Sequence, residues 1–219
     1  MSGDKVEKIK GVLLDLDNTL YDYNICNDNA LKKVFLVVSK KFGISKNKVK
    51  RAFYTARDQV KIVLDGTASS HSRLLYFKKM IENLKGATDA EFSLELHEIF
   101  WREYFNYMLL RKDAKEFLDF CKENSKKIVI ITDFTAEMQL KKIKHLGISK
   151  YIHFIITSEE VGKEKLHTDI FYAALQKLKC SPNEVIMVGD DEKRDIQSAE
   201  KLKIRSYKSF KYIKLNTIK

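Results

Sequence analysis

Apolar residues fall along this chain in two textures. Across residues 27–107 they recur every three or four positions. Leu31, Val34, Phe35, Val38 and Phe42 form one stripe, and Val49, Ala52, Phe53, Ala56, Val60, Val63 and Leu64 a second. Leu74, Phe77, Met80, Ile81 and Leu84 form a third, and Phe92, Leu96, Ile99, Phe100 and Tyr107 a fourth. That spacing gathers apolar side chains on one helical face, so the whole segment is predicted to be helical. The punctuation agrees. Ser45 is placed to cap the second helix, with Gly66 past its end, and Gly86 closes the third. Thr88 with Glu91 three residues on reads as a capping box that opens the fourth.

From about residue 113 the texture changes. Helices predicted at 114–123, 135–146, 169–178 and 195–202 alternate with short apolar runs at 128–131, 152–156, 185–188 and 204–207. Short β-branched runs between helices imply a parallel sheet covered on both faces. The run at 11–14 belongs to the same sheet. The expected fold is therefore α/β: a Rossmann-like, doubly wound parallel core built from residues 1–21 and 111–219, with an all-helical domain, 22–110, inserted after the first strand. An insertion there follows the carboxyl end of a strand, the edge where such sheets bind ligands.

The rest of the composition excludes more than it suggests. The 219 residues suffice for one large domain or two modest ones. No run of 18 apolar residues exists to span a membrane. The opening "MSGDKVEKIK" has charge but no apolar stretch of signal-peptide length, so a cytoplasmic protein is expected. Cys26, Cys121 and Cys180 are odd in number and far apart, which fits neither a disulfide framework nor a zinc site. With 41 Lys and Arg the net charge is +11, which suits an anionic partner. The lysines form no block of five. The basic, aromatic C-terminus "SYKSFKYIKLNTIK" resembles a weak nucleic-acid patch. A last strand followed by a solvated tail is preferred, and a nucleic-acid partner is not expected.

The first strand raises the chemical question. In "GVLLDLDNTLYD" an apolar run leads into Asp15, and Asp17 follows two residues later. Asp, Asn and Thr are common where strands stop, because they bond local backbone. Alternatively, residues i and i+2 of a strand share a face, so two carboxylates would stand side by side and need a cation or a shared proton. Oxygen ligands of this kind suit Mg²⁺. This stretch alone does not decide between the two readings.

Other strand ends add to it. "KIVIITDFT" ends in Thr132 and Asp133, "SEEVGKEKLHTDIF" carries Lys163 and Lys165, and "VIMVGDDEKRDI" carries Asp190, Asp191 and Asp195. In a parallel sheet these ends converge on one edge. Carboxylates, a hydroxyl and an ammonium gathered there fit phosphoryl transfer. A divalent ion neutralises the phosphate, a carboxylate attacks it and a second acid moves the proton.

In order along the chain, "DLDNTL", "ITD", Lys165 in "EEVGKEK" and "GDDEKRD" resemble the four motifs of the haloacid-dehalogenase-like superfamily. The resemblance implies an aspartyl-phosphate mechanism and a helical cap. By it, Asp15 is nucleophile and Mg²⁺ ligand, and Asp17 is acid/base, ligating Mg²⁺ through its carbonyl. Thr132 and Lys165 hold the phosphoryl oxygens, with Asp133 beside them, and Asp190 is the further metal ligand. Asp191 or Asp195 orients a metal-bound water, or Asp195 positions Lys165. Two departures stand out: Leu166-His167 follows the lysine where many relatives have Pro-Asp, and Asp133 replaces a frequent Asn. Dehalogenases of the superfamily lack an acid at the position of Asp17 and need no metal.

The expected activity is therefore Mg²⁺-dependent hydrolysis of a small phosphorylated metabolite, such as a sugar phosphate or a nucleotide, by a monomer or homodimer. A metal-independent dehalogenase, a phosphomutase and a basic nucleic-acid-binding protein are the alternatives. Cap residues would set specificity. In "DGTASSHSRLLYF", His71 and Arg73 are the candidates, although Ser70 or Ser72 at a helix N-cap would account for part of that loop. Trp101, Tyr104 and Phe105 read as cap core, and His97, His145 and His153 as structural or exposed.

Overall fold

A computed structural model describes residues 8–215 and 218. The chain forms two compact units. One joins the described residues up to Asp22 to those from Leu109 onward, and the other is Tyr23–Met108.

The first unit is a five-stranded parallel sheet. Its strands are β1 (Gly11–Leu14), β2 (Lys127–Thr132), β3 (Phe154–Thr157), β4 (Val185–Val188) and β5 (Arg205–Tyr207), in the order β3-β2-β1-β4-β5. In register, Leu14 stands beside Ile130 on one side and Val188 on the other. The central strands read as unbroken apolar runs because both faces are covered. On one face, Leu13, Val129, Ile131 and Met187 pack with Ile170, Phe171 and Ala174 of a helix, Asp169–Leu178. Val12, Leu14, Ile130 and Ile186 alternate with them and are equally buried.

The start of the sheet is tied by polar contacts. Ser181 and Glu184 form a reciprocal capping box ahead of β4. The Lys10 ammonium reaches the Glu184 carboxylate, while the Lys10 N–H donates to the Glu184 carbonyl at 2.7 Å.

The second unit is all helix: α1 (Tyr23–Phe42), α2 (Lys46–Val63), α3 (Arg73–Lys85) and α4 (Ala90–Asn106). Its core is aromatic. The rings of Phe53, Phe77, Phe100, Trp101 and Tyr104 stand 5.1–5.8 Å apart in sequence around it. Ser45 caps α2 and Gly86 closes α3 at φ 78°. The fourth cap differs from expectation. Asp89 accepts the Phe92 N–H at 3.1 Å and is the N-cap of α4, while the Thr88 hydroxyl turns back to Glu82 at 2.7 Å. A carboxylate at a helix N-terminus also meets the helix dipole, which a hydroxyl does not.

Back in the first unit, the chain after β4 winds as a π-turn, Glu192–Gln197, before a short helix, Ser198–Lys201. The C-terminal segment is less solvated than expected. Phe210 stacks on Phe117 at 5.0 Å, and Phe210, Ile213 and Ile218 are buried. Asn216, Thr217 and Lys219 of the basic tail, and the first seven residues, lie outside the described part. Among the described residues no helix is long and apolar enough to cross a membrane.

Candidate active site

The site is built from strand ends. Asp15 continues the ladder one step past β1, its N–H donating to the Val188 carbonyl at 2.9 Å. The chain then turns, with Asn18 in the left-handed region at φ 66°. That turn returns two donors to the acids around it. The Thr19 hydroxyl donates to Asp15 Oδ2 at 2.7 Å, and the Asn18 amide to Asp190 Oδ2 at 2.7 Å.

Lys165 is the lysine of the site, and Lys163 is exposed. The Lys165 ammonium is almost fully buried and bridges Asp15 Oδ1 at 2.5 Å and Asp195 Oδ1 at 2.7 Å. Burial opposes its charge, but Asp15, Asp195 and Asp133 together hold its pKa well above the usual lysine value. Burial pushes the carboxyls of Asp15 and Asp195 upward, and Lys165 acts against that.

Carboxylate oxygens of Asp15, Asp190 and Asp195 all lie within 4.8 Å of one another. Formally, three carboxylates against one ammonium leave two negative charges unbalanced. An all-oxygen set with that deficit fits a hard divalent cation.

The remaining predicted residues have distinct places. The Asp133 carboxylate accepts the Lys165 N–H at 2.9 Å, fixing the loop that carries the lysine. Asp191 caps the π-turn, accepting the N–H groups of Lys193 and Arg194 at 2.9 Å each. Asp195 also accepts the Asp191 N–H at 3.0 Å. Gly189 lies tight against Asp195: a Cβ on it would overlap the Asp195 side chain, and one of the two would have to shift. His71 and Arg73 belong to the helical unit. The Arg73 guanidinium donates to the Tyr23 hydroxyl at 2.5 Å and to the His71 carbonyl at 2.9 Å, and lies over the Tyr76 and Phe100 rings.

Asp17 departs from the side-by-side arrangement expected of alternate strand positions. β1 ends at Leu14, so strand alternation no longer governs Asp17. Its carboxylate turns instead to a helix, Ala136–His145, designated α6 after α5 (Lys112–Glu123). Lys142 Nζ meets Asp17 Oδ1 at 2.6 Å, joined there by the Tyr21 hydroxyl, and Gln139 Nε2 donates to Oδ2 at 2.9 Å. Burial alone would raise the Asp17 pKa. The Lys142 charge and these hydrogen bonds outweigh it and hold the carboxyl below its usual value. Gln139 also approaches Thr132 Oγ1 at 2.5 Å and the Asp133 carbonyl at 2.8 Å.

Gln139 and Lys142 were not singled out by sequence. With Met138 and Ile143 they form the buried face of α6, while Lys141 and Lys144 are exposed. The available signal was a polar pair at apolar-face positions of an amphipathic helix.

Sheet order, strand-end acids and a bridging lysine define a haloacid-dehalogenase-like enzyme core. The family model for "haloacid dehalogenase-like hydrolase" matches residues 9–203, and the chain belongs to that family. It is 40% identical over 190 residues to a ribulose-1,5-bisphosphate 5-phosphatase of Halopiger xanaduensis, covering 86% of this chain and 79% of that one. It is 25% identical over 193 residues to a glyceraldehyde 3-phosphate phosphatase of Methanopyrus kandleri, covering 88% and 80%. Among solved structures, a HAD phosphatase from Thermococcus onnurineus superposes with a TM-score of 0.71 at 24% identity, over 90% of this chain and 85% of the other. That likeness concerns the fold.

Proposed function

We propose that the protein is a Mg²⁺-dependent phosphoric monoester hydrolase acting on a small phosphorylated sugar. The observation that carries this reading is the buried Lys165 ammonium between Asp15 and Asp195, beside Asp190, at one edge of the sheet. The phosphatase relatives, and above all the one at 40% identity, support a sugar phosphate over a nucleotide.

In this reading Asp15 attacks phosphorus, the ester P–O bond breaks, and the departing oxygen takes a proton from Asp17, whose carboxyl has first left Lys142 and taken that proton from solvent. Water then gives a proton to Asp17 and attacks the phosphorus of the aspartyl phosphate. The Asp15–phosphorus bond breaks, and inorganic phosphate leaves. Thr132 and Lys165 hold the phosphoryl oxygens, and Asp195 keeps Lys165 in place. Asp133 secures the lysine loop, and Asp191 the turn that carries Asp195. Mg²⁺, held by Asp15, Asp190 and the Asp17 carbonyl, would supply neutralisation of the phosphate charge. The helical unit Tyr23–Met108 takes the role of the cap, with His71 and Arg73 as its residues for substrate choice.

The test is phosphate release from ribulose 1,5-bisphosphate, glyceraldehyde 3-phosphate and nucleoside monophosphates, each with Mg²⁺ and with excess chelator. Metal-dependent release from a sugar phosphate is expected. Equal release with and without chelator would refute the metal dependence, and preference for nucleotides would refute the substrate class.

A further inference from the structure

Two stretches that meet at the carboxyl ends of the strands carry complementary charges side by side. Glu164-Lys165 lies in the loop that follows β3, and Arg194-Asp195 in the π-turn that follows β4. They join in order. Arg194 Nη2 meets Glu164 Oε2 at 3.0 Å, and Lys165 Nζ meets Asp195 Oδ1 at 2.7 Å. Glu164, Lys165 and Asp195 are buried, while the Arg194 side chain is 32% exposed. A buried carboxylate is costly without a cation, so Glu164 gives the guanidinium a fixed place. Further contacts tie the same groups. Asp133 Oδ1 accepts the Lys165 N–H at 2.9 Å, and its Oδ2 lies 3.8 Å from Arg194 Nε. The Arg194 N–H donates to Asp191 Oδ1 at 2.9 Å. Arg194 thereby meets the segments that follow β2, β3 and β4.

We infer that Arg194 is a positioning residue for Lys165: paired with Glu164, it locks the lysine loop to the turn after β4, so that the ammonium stays where the phosphoryl oxygens bind. The inference rests on the phosphatase reading above. Asp195 holds the ammonium itself, and Arg194 holds the backbone from which that side chain springs. A lysine side chain has four rotatable bonds, so an ammonium held only at its tip would follow any movement of its loop. The outer pair removes that freedom. In this scheme Arg194 touches neither phosphorus nor its oxygens and acts through Lys165.

Phosphate binding separates this role from general support of the fold. Inorganic phosphate is titrated calorimetrically, with Mg²⁺ present, into wild type, Arg194→Met, Glu164→Gln, the double variant of those two, Arg194→Lys and the exposed neighbour Lys193→Met. Arg194→Met is expected to weaken phosphate binding about tenfold, within the coupling found between residues of one ionic network. It leaves Glu164 buried without that cation, so removing the carboxylate as well should restore part of the loss. The double variant should therefore bind phosphate more tightly than Arg194→Met. Glu164→Gln, which leaves a half-exposed guanidinium, should weaken binding less. Arg194→Lys should recover part of the loss, and Lys193→Met should bind as wild type does. In a Lys165→Met background, Arg194→Met should weaken binding no further. Wild-type affinity in a folded Arg194→Met, or in Glu164→Gln should Arg194→Met not fold, would overturn the positioning role and leave the phosphatase reading intact. A full further loss in the Lys165→Met background would overturn it too, by making Arg194 a direct phosphate ligand. Where Lys165→Met does not fold, a double variant whose loss is the product of the two single losses would do the same. Wild type that binds no phosphate and releases none from ribulose 1,5-bisphosphate would overturn the phosphatase reading, and this inference with it.

Discussion

At the scale of single residues, the site turns on how few groups share a buried charge. Lys165 serves Asp15 and Asp195 together, so anything that displaces Asp195 also loosens the lysine. Gly189 guards that contact. In Gly189→Ala the new methyl overlaps the Asp195 side chain, and turnover should fall more than tenfold while far-UV circular dichroism stays that of wild type. An unchanged rate would mean that Asp195 tolerates the shift. Glu184 gives a test by pH. The Lys10 ammonium, with the Ser181 N–H and hydroxyl, holds its carboxyl at about 2. A carboxyl depressed in the folded state stabilises above its unfolded pKa and loses that contribution as pH falls toward the folded value. The urea midpoint of wild type should therefore exceed that of Glu184→Gln by a constant amount from pH 7 to pH 5. The gap should narrow as pH drops toward 3, and a gap that widened would contradict the assignment. Asp15 and Asp190 were legible as carboxylates just past apolar runs, while Lys165, eight residues beyond β3, was set apart from Lys163 by the family resemblance alone. Gln139 and Lys142 were not: in a lysine-rich helix, a buried lysine differs from its solvated neighbours only by phase.

At the scale of elements, the strands were legible because a sheet covered on both faces needs unbroken apolar runs, and β1 and β4 have the predicted bounds. Local hydrogen bonds decided what was not. The helix expected at 195–202 begins earlier as the π-turn that Asp191 caps, which brings Asp195 inward to Lys165. Two capping residues were adjacent in sequence at α4, and the carboxylate prevailed. Asp89→Ala should lower the urea midpoint clearly, and Thr88→Ala should lower it less. The reverse order would restore the Thr88 cap.

For the whole molecule, the chain divides at Asp22–Tyr23 and Met108–Leu109 into two compact units, each with its own core; the hydrophobic texture changes at about residues 27 and 107–113, with the inserted domain expected at 22–110. A period tells which residues share a face, and that is enough to separate helices from a sheet. It carries nothing about which buried polar group meets which, so the turn of Asp17 toward α6 had no sequence signature. Each unit contains a buried thiol, Cys26 in the helical unit and Cys121 in the sheet unit. Burial raises the Cys121 thiol to about 12, so it is scarcely ionised at pH 8. A thiol reagent at pH 8 should reach Cys26 and Cys121 only on unfolding, and rapid native labelling of either would contradict the burial.

The central claim is that one carboxylate, Asp15, carries out phosphoryl transfer with a divalent ion beside it. Its most direct test is p-nitrophenyl phosphate hydrolysis by wild type with Mg²⁺, by wild type with excess chelator, and by Asp15→Asn with Mg²⁺. Turnover in the first and a loss of at least about 10³-fold in the other two is the predicted result. Undiminished turnover by a folded Asp15→Asn would contradict it.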